Sequence, residues 1–338
     1  MLNRIALIGE AWGEEEERFG IPFVGKTGQL LNILLHQAGI VREECHITNV
    51  FNLRPKPKND IINLCGLKRD GIPGWPALTK GKYVNAQYAP EITRLHAELR
   101  AVNPNLIIAL GGTAAWSVLR TSGIRAFRGS TVMSPFGKVL PTYHPSAVAR
   151  DWTLRPIVLS DLEKARHEAE YPEVIRPERS VWVDPTYDDL IAFETQYINP
   201  SRNLSADIET IGNQITCIGF APTSSISLVV PFYDPRKPDA NYWPSLGMEM
   251  KVWAWVRRQL LKRKRFIFQN GLYDIGLLWR EYGMIVPHAE ADTMLLHHAL
   301  QPEMEKGLGF LGSIYTNEAP WKFEHRRAKT NETLKLED

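Results

Sequence analysis

Two groups of residues in this 338-residue chain have the types and spacing that chemistry needs. In the first half, Gly9-Glu10-Ala11-Trp12-Gly13 follows the apolar run Arg4-Ile5-Ala6-Leu7-Ile8, and Phe19-Gly20-Ile21-Pro22-Phe23-Val24-Gly25-Lys26-Thr27-Gly28 comes soon after. The run reads as a buried parallel strand, which sets these glycines and acids at its carboxyl end, where open α/β sheets bind ligands. His144-Pro145-Ser146 follows another apolar strand. In the second half, Asp207 and Glu209 stand two apart within Ser205-Ala206-Asp207-Ile208-Glu209-Thr210. In a strand that spacing turns both carboxylates to one face, and hard divalent cations take such oxygens. Gln269-Asn270-Gly271-Leu272-Tyr273-Asp274 follows a further strand and supplies another acid.

The elements that must position these groups alternate along residues 1–170. Strand patterns at 5–8, 106–110 and 139–142 are interleaved with helical patterns at 28–38, 89–101 and 114–119. Such alternation predicts a parallel sheet covered by helices. The Pro-, Gly- and Lys-rich stretch between Pro55 and Tyr88 is too long for an ordinary connection and reads as a functional loop or insertion bordering a groove. A helix over 157–170 leads into prolines and charges that make 171–180 a linker. Residues 181–338 then form a second domain: strands at 204–208, 215–220 and 227–230, a helix at 248–262 and a strand at 265–268 predict an antiparallel start to a mixed sheet.

Composition bounds the rest. With 44% hydrophobic and 23% charged residues the chain suits a soluble globular protein of two domains. A formal charge of +2 means that any nucleic-acid binding comes from local patches. Three scattered cysteines, none in a Cys-x-x-Cys pair, argue against a disulfide framework or a structural zinc. No apolar run approaches a membrane span and the first residues lack a signal-peptide pattern, so no membrane partner and a cytoplasmic location are expected.

Gly9-Glu10-Ala11-x-Gly13, Gly20-x-Pro22-Phe23-Val24-Gly25, Thr48-Asn49-Val50, Arg54-Pro55, Ala109-Leu110-Gly111 and Thr142-Tyr143-His144-Pro145-Ser146 occur in the order and approximate spacing of the uracil-DNA glycosylase superfamily, and most resemble its family 4. Several separated motifs in order weigh more than any one alone. The resemblance covers about the first 165 residues and implies a three-layer α/β/α domain that hydrolyses the N-glycosidic bond of uracil in single- or double-stranded DNA. By that resemblance His144 donates a hydrogen bond to the developing charge on uracil O2. Phe23 stacks on the extruded base, and Asn49 pairs with its O4 and N3–H. Glu10 and Glu16 position water or stabilise the cationic sugar, while Gly9, Ala11 and Ser146 line the substrate. Glu14 to Glu17 also read as a solvated acidic run at a helix N-terminus, and Phe23 as core.

Two departures from the family stand out. Ala11 occupies the place where a double-strand-preferring branch carries an aspartate. Leu53 and Leu95 stand where family 4 places cysteine ligands, so no iron–sulfur cluster is expected and the glycosylase domain is expected to need no cofactor.

From about Val181 to Trp321 the chain resembles the RNase H-like proofreading 3'-5' exonuclease domain of family A DNA polymerases, especially phage-type ones. The resemblance implies that Asp207 and Glu209 form its first motif and Asp274, with Asn270, its second, together holding Mg2+ or Mn2+. Asp292 in His288-Ala289-Glu290-Ala291-Asp292 matches a helix-opening position of such domains and is read as structural. A third motif, Tyr-x-x-x-Asp, is not found before Asp338. The two resemblances together imply a DNA repair enzyme of a bacterial or phage-infected cell, with DNA as substrate and replication proteins as further partners. The alternative is a non-catalytic DNA-binding or replication accessory protein that retains both folds.

Overall fold

The computed structural model describes residues 4–318, and Ala126 within them without its side chain. The chain divides into two compact units. One takes the described residues up to Arg176 and again from Gly309; the other is Pro177–Leu308.

The first unit runs β1 (Ile5–Ala11), α1 (Glu14–Phe19), α2 (Lys26–Gln37), β2 (Cys45–Phe51), β3 (Cys65–Gly66), β4 (Tyr83–Val84), α3 (Ala89–Val102), β5 (Leu106–Leu110), α4 (Gly112–Leu119), β6 (Val132–Ser134), β7 (Gly137–Thr142), α5 (Pro145–Arg150) and α6 (Arg155–Glu168). Its main sheet has the order β2-β1-β5-β7-β6, parallel throughout except for the antiparallel edge strand β6. Successive residues of a strand face opposite sides, and β1 shows why both sides are apolar. Ile5 and Leu7 bury against Leu31, Leu34 and Leu35 of α2 and Leu162 of α6, whereas Ala6 and Ile8 bury against Leu95 and Leu99 of α3 and Trp116 of α4. This is the expected three-layer arrangement. Each such fully buried large side chain contributes roughly 1.5–3 kcal/mol, so the two faces together fix the strand order and the ends of the strands.

The stretch between Pro55 and Tyr88 contains the small β3–β4 pair and is fastened by aromatic contacts. The Trp116 indole donates to the Pro76 carbonyl at 2.9 Å, Trp75 lies 4.7 Å from Trp116 between ring centres, and the Arg120 guanidinium sits 4.4 Å over Trp75.

The second unit runs β8 (Ser180–Trp182), α7 (Tyr187–Phe193), β9 (Asn203–Ile211), β10 (Gln214–Ala221), β11 (Ile226–Pro231), α8 (Leu246–Leu260), β12 (Arg265–Phe268), α9 (Leu272–Tyr282), β13 (Ala289–Asp292) and α10 (Thr293–Leu300). The sheet is mixed, in the order β13-β12-β9-β10-β11-β8: β9, β10 and β11 are antiparallel neighbours, while β12, β13 and β8 join parallel to theirs. Its core gathers Leu204, Phe220, Val230, Trp255, Phe266 and Leu277. A last helix, α11 (Leu308–Tyr315), begins where the second unit ends. Among the described residues no helix is long and apolar enough to cross a membrane.

Candidate functional site

The parallel strands β1, β2 and β7 carry their polar residues to one edge of the first sheet. Gly9 is paired in register with Asn49, and Leu110 of β5 with Thr142 just before His144. Gly9 has no side chain because none fits: a Cβ there would lie 2.1 Å from Asn49 Oδ1 and 2.5 Å from Phe23 Cζ. The Phe23 ring centre is 5.7 Å from that of His144, with the rings tilted by 31°. Gly9, Phe23, Asn49 and His144 therefore meet at the carboxyl end of the sheet, although they are spread over more than a hundred residues of sequence.

Phe23 reaches this place through a left-handed backbone, φ 55°, which costs a residue with a Cβ about 1–3 kcal/mol and needs support. Glu16 supplies much of it. One carboxylate oxygen accepts the N–H groups of Val24 at 3.0 Å and Gly25 at 2.9 Å, and the other accepts Gly13 N–H at 3.1 Å. Arg42 donates to the carbonyls of Pro22 and Phe23, both at 3.3 Å. Gly28 of α2 lets the helix lie directly on this turn, since a Cβ there would come 1.9 Å from the Phe23 carbonyl oxygen. Both oxygens of Glu16, expected beside the reacting sugar, are thus engaged by backbone amides, and the residue shapes the loop that carries Phe23.

Asn49 is buried on β2, and α3 grips the strand beneath it. Arg94 donates to the carbonyls of Asn49 at 2.8 Å and Val50 at 3.1 Å, and is itself held by Glu91 at 3.1 Å and Glu98 at 2.7 Å. Glu10 accepts a hydrogen bond from the Thr113 hydroxyl at 2.5 Å. Burial raises the pKa of its carboxyl, Thr113 pulls it back, and the nearby Asp60 adds to the rise. Neither Thr113 nor Arg94 was among the residues singled out by sequence. Gly111-Gly112-Thr113 immediately after a buried strand was the available signal for the first; Arg94 has the spacing of an ordinary surface ion pair and gave none.

His144 caps α5. Its Nδ1 accepts the Ser146 N–H at 3.2 Å and lies 2.8 Å from the Ser146 hydroxyl. Ser146, expected at the substrate, contacts the imidazole instead. A nitrogen that accepts a backbone N–H carries no proton, so the neutral ring has its hydrogen on Nε2. Burial, with a smaller push from Arg150, lowers the ring pKa from its ordinary 6.5 to about 4. Ala11 is the last residue of β1 and packs on the apolar cluster that also takes the half-buried Leu53 and the fully buried Leu95. Burial pushes the Cys45 and Cys65 thiols up to about 11, so they are protonated at neutral pH.

In the second unit, Leu204, Ala206 and Ile208 of β9 enter the core while Asp207 and Glu209 share the opposite, exposed face. Asp274, buried on α9, accepts the Ile208 N–H at 3.0 Å. Lost hydration, then the charges of Asp274 and Glu209, push Asp207 up to about 6. Asp274 is raised as well, mainly by burial. Such crowded oxygens suit a hard divalent cation. Among the described residues, however, no three His, Cys, Asp or Glu side chains gather closely enough to hold one. Asp292 plays a structural part. It accepts N–H groups from Asn270 at 3.1 Å, Gly271 at 2.8 Å, Met294 at 2.8 Å and Leu295 at 3.3 Å, capping α10. These bonds hold its carboxyl low against the opposing pull of desolvation.

The first unit is an α/β domain with an aromatic ring, an amide and an imidazole gathered at the carboxyl edge of its sheet. Residues 2–169 match the family model described as the uracil DNA glycosylase superfamily. The chain is 38% identical to the type-4 uracil-DNA glycosylase of Thermotoga maritima over 169 residues, 48% of this chain and 77% of that protein. It is 34% identical to the type-4 uracil-DNA glycosylase of Archaeoglobus fulgidus over 170 residues, 47% of this chain and 74% of that one. The chain belongs to the uracil-DNA glycosylase superfamily. It is also similar, at 22% identity over 325 residues, to a DNA polymerase of Bacillus phage SP01, a match covering 87% of this chain and 32% of the polymerase.

Gly9→Ala forces the Phe23 ring or the Asn49 amide out of place and is expected to lower stability by about 1–3 kcal/mol in denaturant unfolding; an unchanged midpoint would show that the two move aside freely. His144 is expected to be the neutral Nε2–H tautomer in 15N NMR at pH 6. The ordinary pKa lies above the folded one. Stability linked to this ring is therefore complete above pH 6.5 and falls as pH drops from there towards about 4. A ring already protonated at pH 6 would contradict the geometry.

Proposed function

We propose that the first unit hydrolyses the N-glycosidic bond of uracil in DNA, needing no cofactor, and that the second unit is a 3'-5' exonuclease-like module on the same chain. The observation that carries the first part is a desolvated, neutral His144, its proton assigned to Nε2, beside Phe23 and Asn49 above a residue without a side chain. Cleavage leaves negative charge on uracil O2, and a neutral N–H donor held in place lowers that barrier without having to be reoriented. Asn49 pairs with O4 and N3–H of a base turned out of the strand, and Phe23 offers it a ring face. Glu10, its pKa raised by burial and its carboxylate held by Thr113, would orient water or stabilise the oxocarbenium sugar. Glu16 positions this pocket through the backbone. Membership of the superfamily and the names of the type-4 relatives support uracil as the base.

For the second unit the supports are the shared face of Asp207 and Glu209, the neighbouring Asp274, and the likeness to a phage DNA polymerase that runs across both units. By that likeness Asp207, Glu209 and Asp274 would be the acids of a Mg2+ or Mn2+ site, although among the described residues they do not gather closely enough to hold an ion. The same likeness favours replication proteins as partners and a cytoplasmic site of action in a bacterial or phage-infected cell. Having both activities on one chain keeps the nuclease at high effective concentration near a newly made abasic site.

Uracil-containing single- and double-stranded oligonucleotides incubated with the protein in EDTA, then treated with alkali, should yield strand breaks at uracil. No product at stoichiometric protein would sink the glycosylase reading. His144→Ala and Asn49→Ala should each slow excision by roughly a hundredfold to a thousandfold. Asp207→Ala should abolish Mg2+-dependent 3' resection and weaken Mn2+ binding in calorimetry; resection and binding at wild-type levels would remove the metal site from Asp207.

A further inference from the structure

The first unit is not built from its first 176 residues alone. After the mixed-sheet unit the chain returns at Gly309, and the segment from Gly309 to Asn317 inserts into a set of buried charges. Arg128 pairs with Asp161 at 2.5 Å, and both side chains are almost wholly buried. The second guanidinium nitrogen of Arg128 donates to the Ser313 hydroxyl, and its face lies 4.8 Å over the Phe310 ring. Lys164 donates to the carbonyls of Gly129 at 2.7 Å, Ser313 at 3.2 Å and Thr316 at 2.6 Å. A second buried pair, Lys138 with Glu168 at 3.0 Å, is closed by the Asn317 amide at 2.7 Å from the other Glu168 oxygen. Arg176 reaches the carbonyls of Asn317 at 3.3 Å and Thr131 at 3.1 Å.

These contacts continue to the pocket. The free oxygen of Asp161 accepts the Thr142 hydroxyl at 2.6 Å, and Thr142 is the last residue of β7, two before His144. Gly129, next to Arg128, donates its N–H to the Pro141 carbonyl at 2.9 Å. Gly129 has a left-handed backbone, φ 71°, and a Cβ there would lie 2.7 Å from Asp161 and 3.0 Å from the Ser313 carbonyl oxygen. On the other side of the strand end, Gly111 N–H donates to the Thr142 carbonyl at 2.8 Å. The strand that presents His144 is therefore gripped by residues that the C-terminal segment completes. A buried charge pair is rigid only when its remaining donors and acceptors are satisfied, and the Ser313 hydroxyl accepts from Arg128 Nη2.

We propose that Gly309–Asn317 is a positioning element of the base-excision site, acting through Ser313, Arg128, Asp161 and Thr142 on the strand end that carries His144. The family match ends at residue 169, so this element lies outside the part of the chain that the family describes. The inference rests on the proposed excision reading for its effect on rate, and on geometry alone for its effect on His144.

The test uses the full chain. Ser313→Ala should lower kcat for uracil excision on the order of tenfold to a hundredfold with KM little changed, because a slightly displaced donor weakens transition-state contact more than base binding. It should also shift the His144 imidazole 15N resonances. Ser313→Thr, which keeps the hydroxyl, should restore both. Combining Ser313→Ala with Thr142→Val should cost less than the sum of the two, since both act through Asp161. Wild-type kcat and unshifted His144 resonances in Ser313→Ala would overturn the proposal and leave the segment a simple anchor. If the unmodified protein excises no uracil, the function reading fails, and the His144 resonances still decide whether the segment positions the ring.

Discussion

Above Gly9 the Phe23 ring and the Asn49 amide come so close to the strand that a single added carbon would collide with both. That approach sets conditions on much of the first unit. The ring arrives there only by a left-handed turn at Phe23, and such a turn holds its shape only if its amides and carbonyls are tied down. Glu16 and Arg42 do this from either side, and Gly28 lets α2 lie against the turn without a gap. The Phe23 ring and the Asn49 amide thus rest directly on the strand backbone, with no side chain of Gly9 between.

The two units handle charge differently. In the first, burial disfavours charge on two of the gathered groups: it keeps His144 neutral, its Nδ1 used as a helix cap, and raises the pKa of Glu10. Neutral, oriented dipoles suit a reaction whose leaving group becomes an anion, because full charges already present would need solvent to balance them. In the second, burial, then the charges of Asp274 and Glu209, disfavours ionisation of Asp207, and burial does the same to Asp274.

Much of this was legible in the sequence because it is periodic or local. β5 and β12 have the limits that their apolar runs define, and the alternation along β9 places Asp207 and Glu209 together as a period of two requires. The strand-end motifs around Gly9, Asn49 and His144 also converge as a parallel sheet dictates. What was not legible depends on partners distant in sequence. The acidic run at Glu14 to Glu17 has one surface appearance, yet Glu16 turns back to bind Val24 and Gly25 while Glu17 pairs with Lys56. That the Ser146 hydroxyl lies against the His144 ring was not legible either. Thr113, Arg94 and Asp161 have ordinary helical surroundings in sequence; their roles come from strands up to a hundred residues away. The short β8 and β13, with few apolar residues of their own, are strands only because a neighbour offers its edge.

The grip of Ser313 on Arg128 spans 185 residues of chain. A ribosome adds residues at roughly 5–20 per second, so the buried pair of Arg128 and Asp161 is made about eight to thirty seconds before the hydroxyl that completes it. During that interval the residues of the α/β sheet are all present, but Arg128 and Lys164 are without the partners that Ser313 supplies. The order of synthesis therefore makes the C-terminal residues the closing step of a domain that began at the first strand, and a nascent chain halted before Gly309 would carry the pocket residues without their final support.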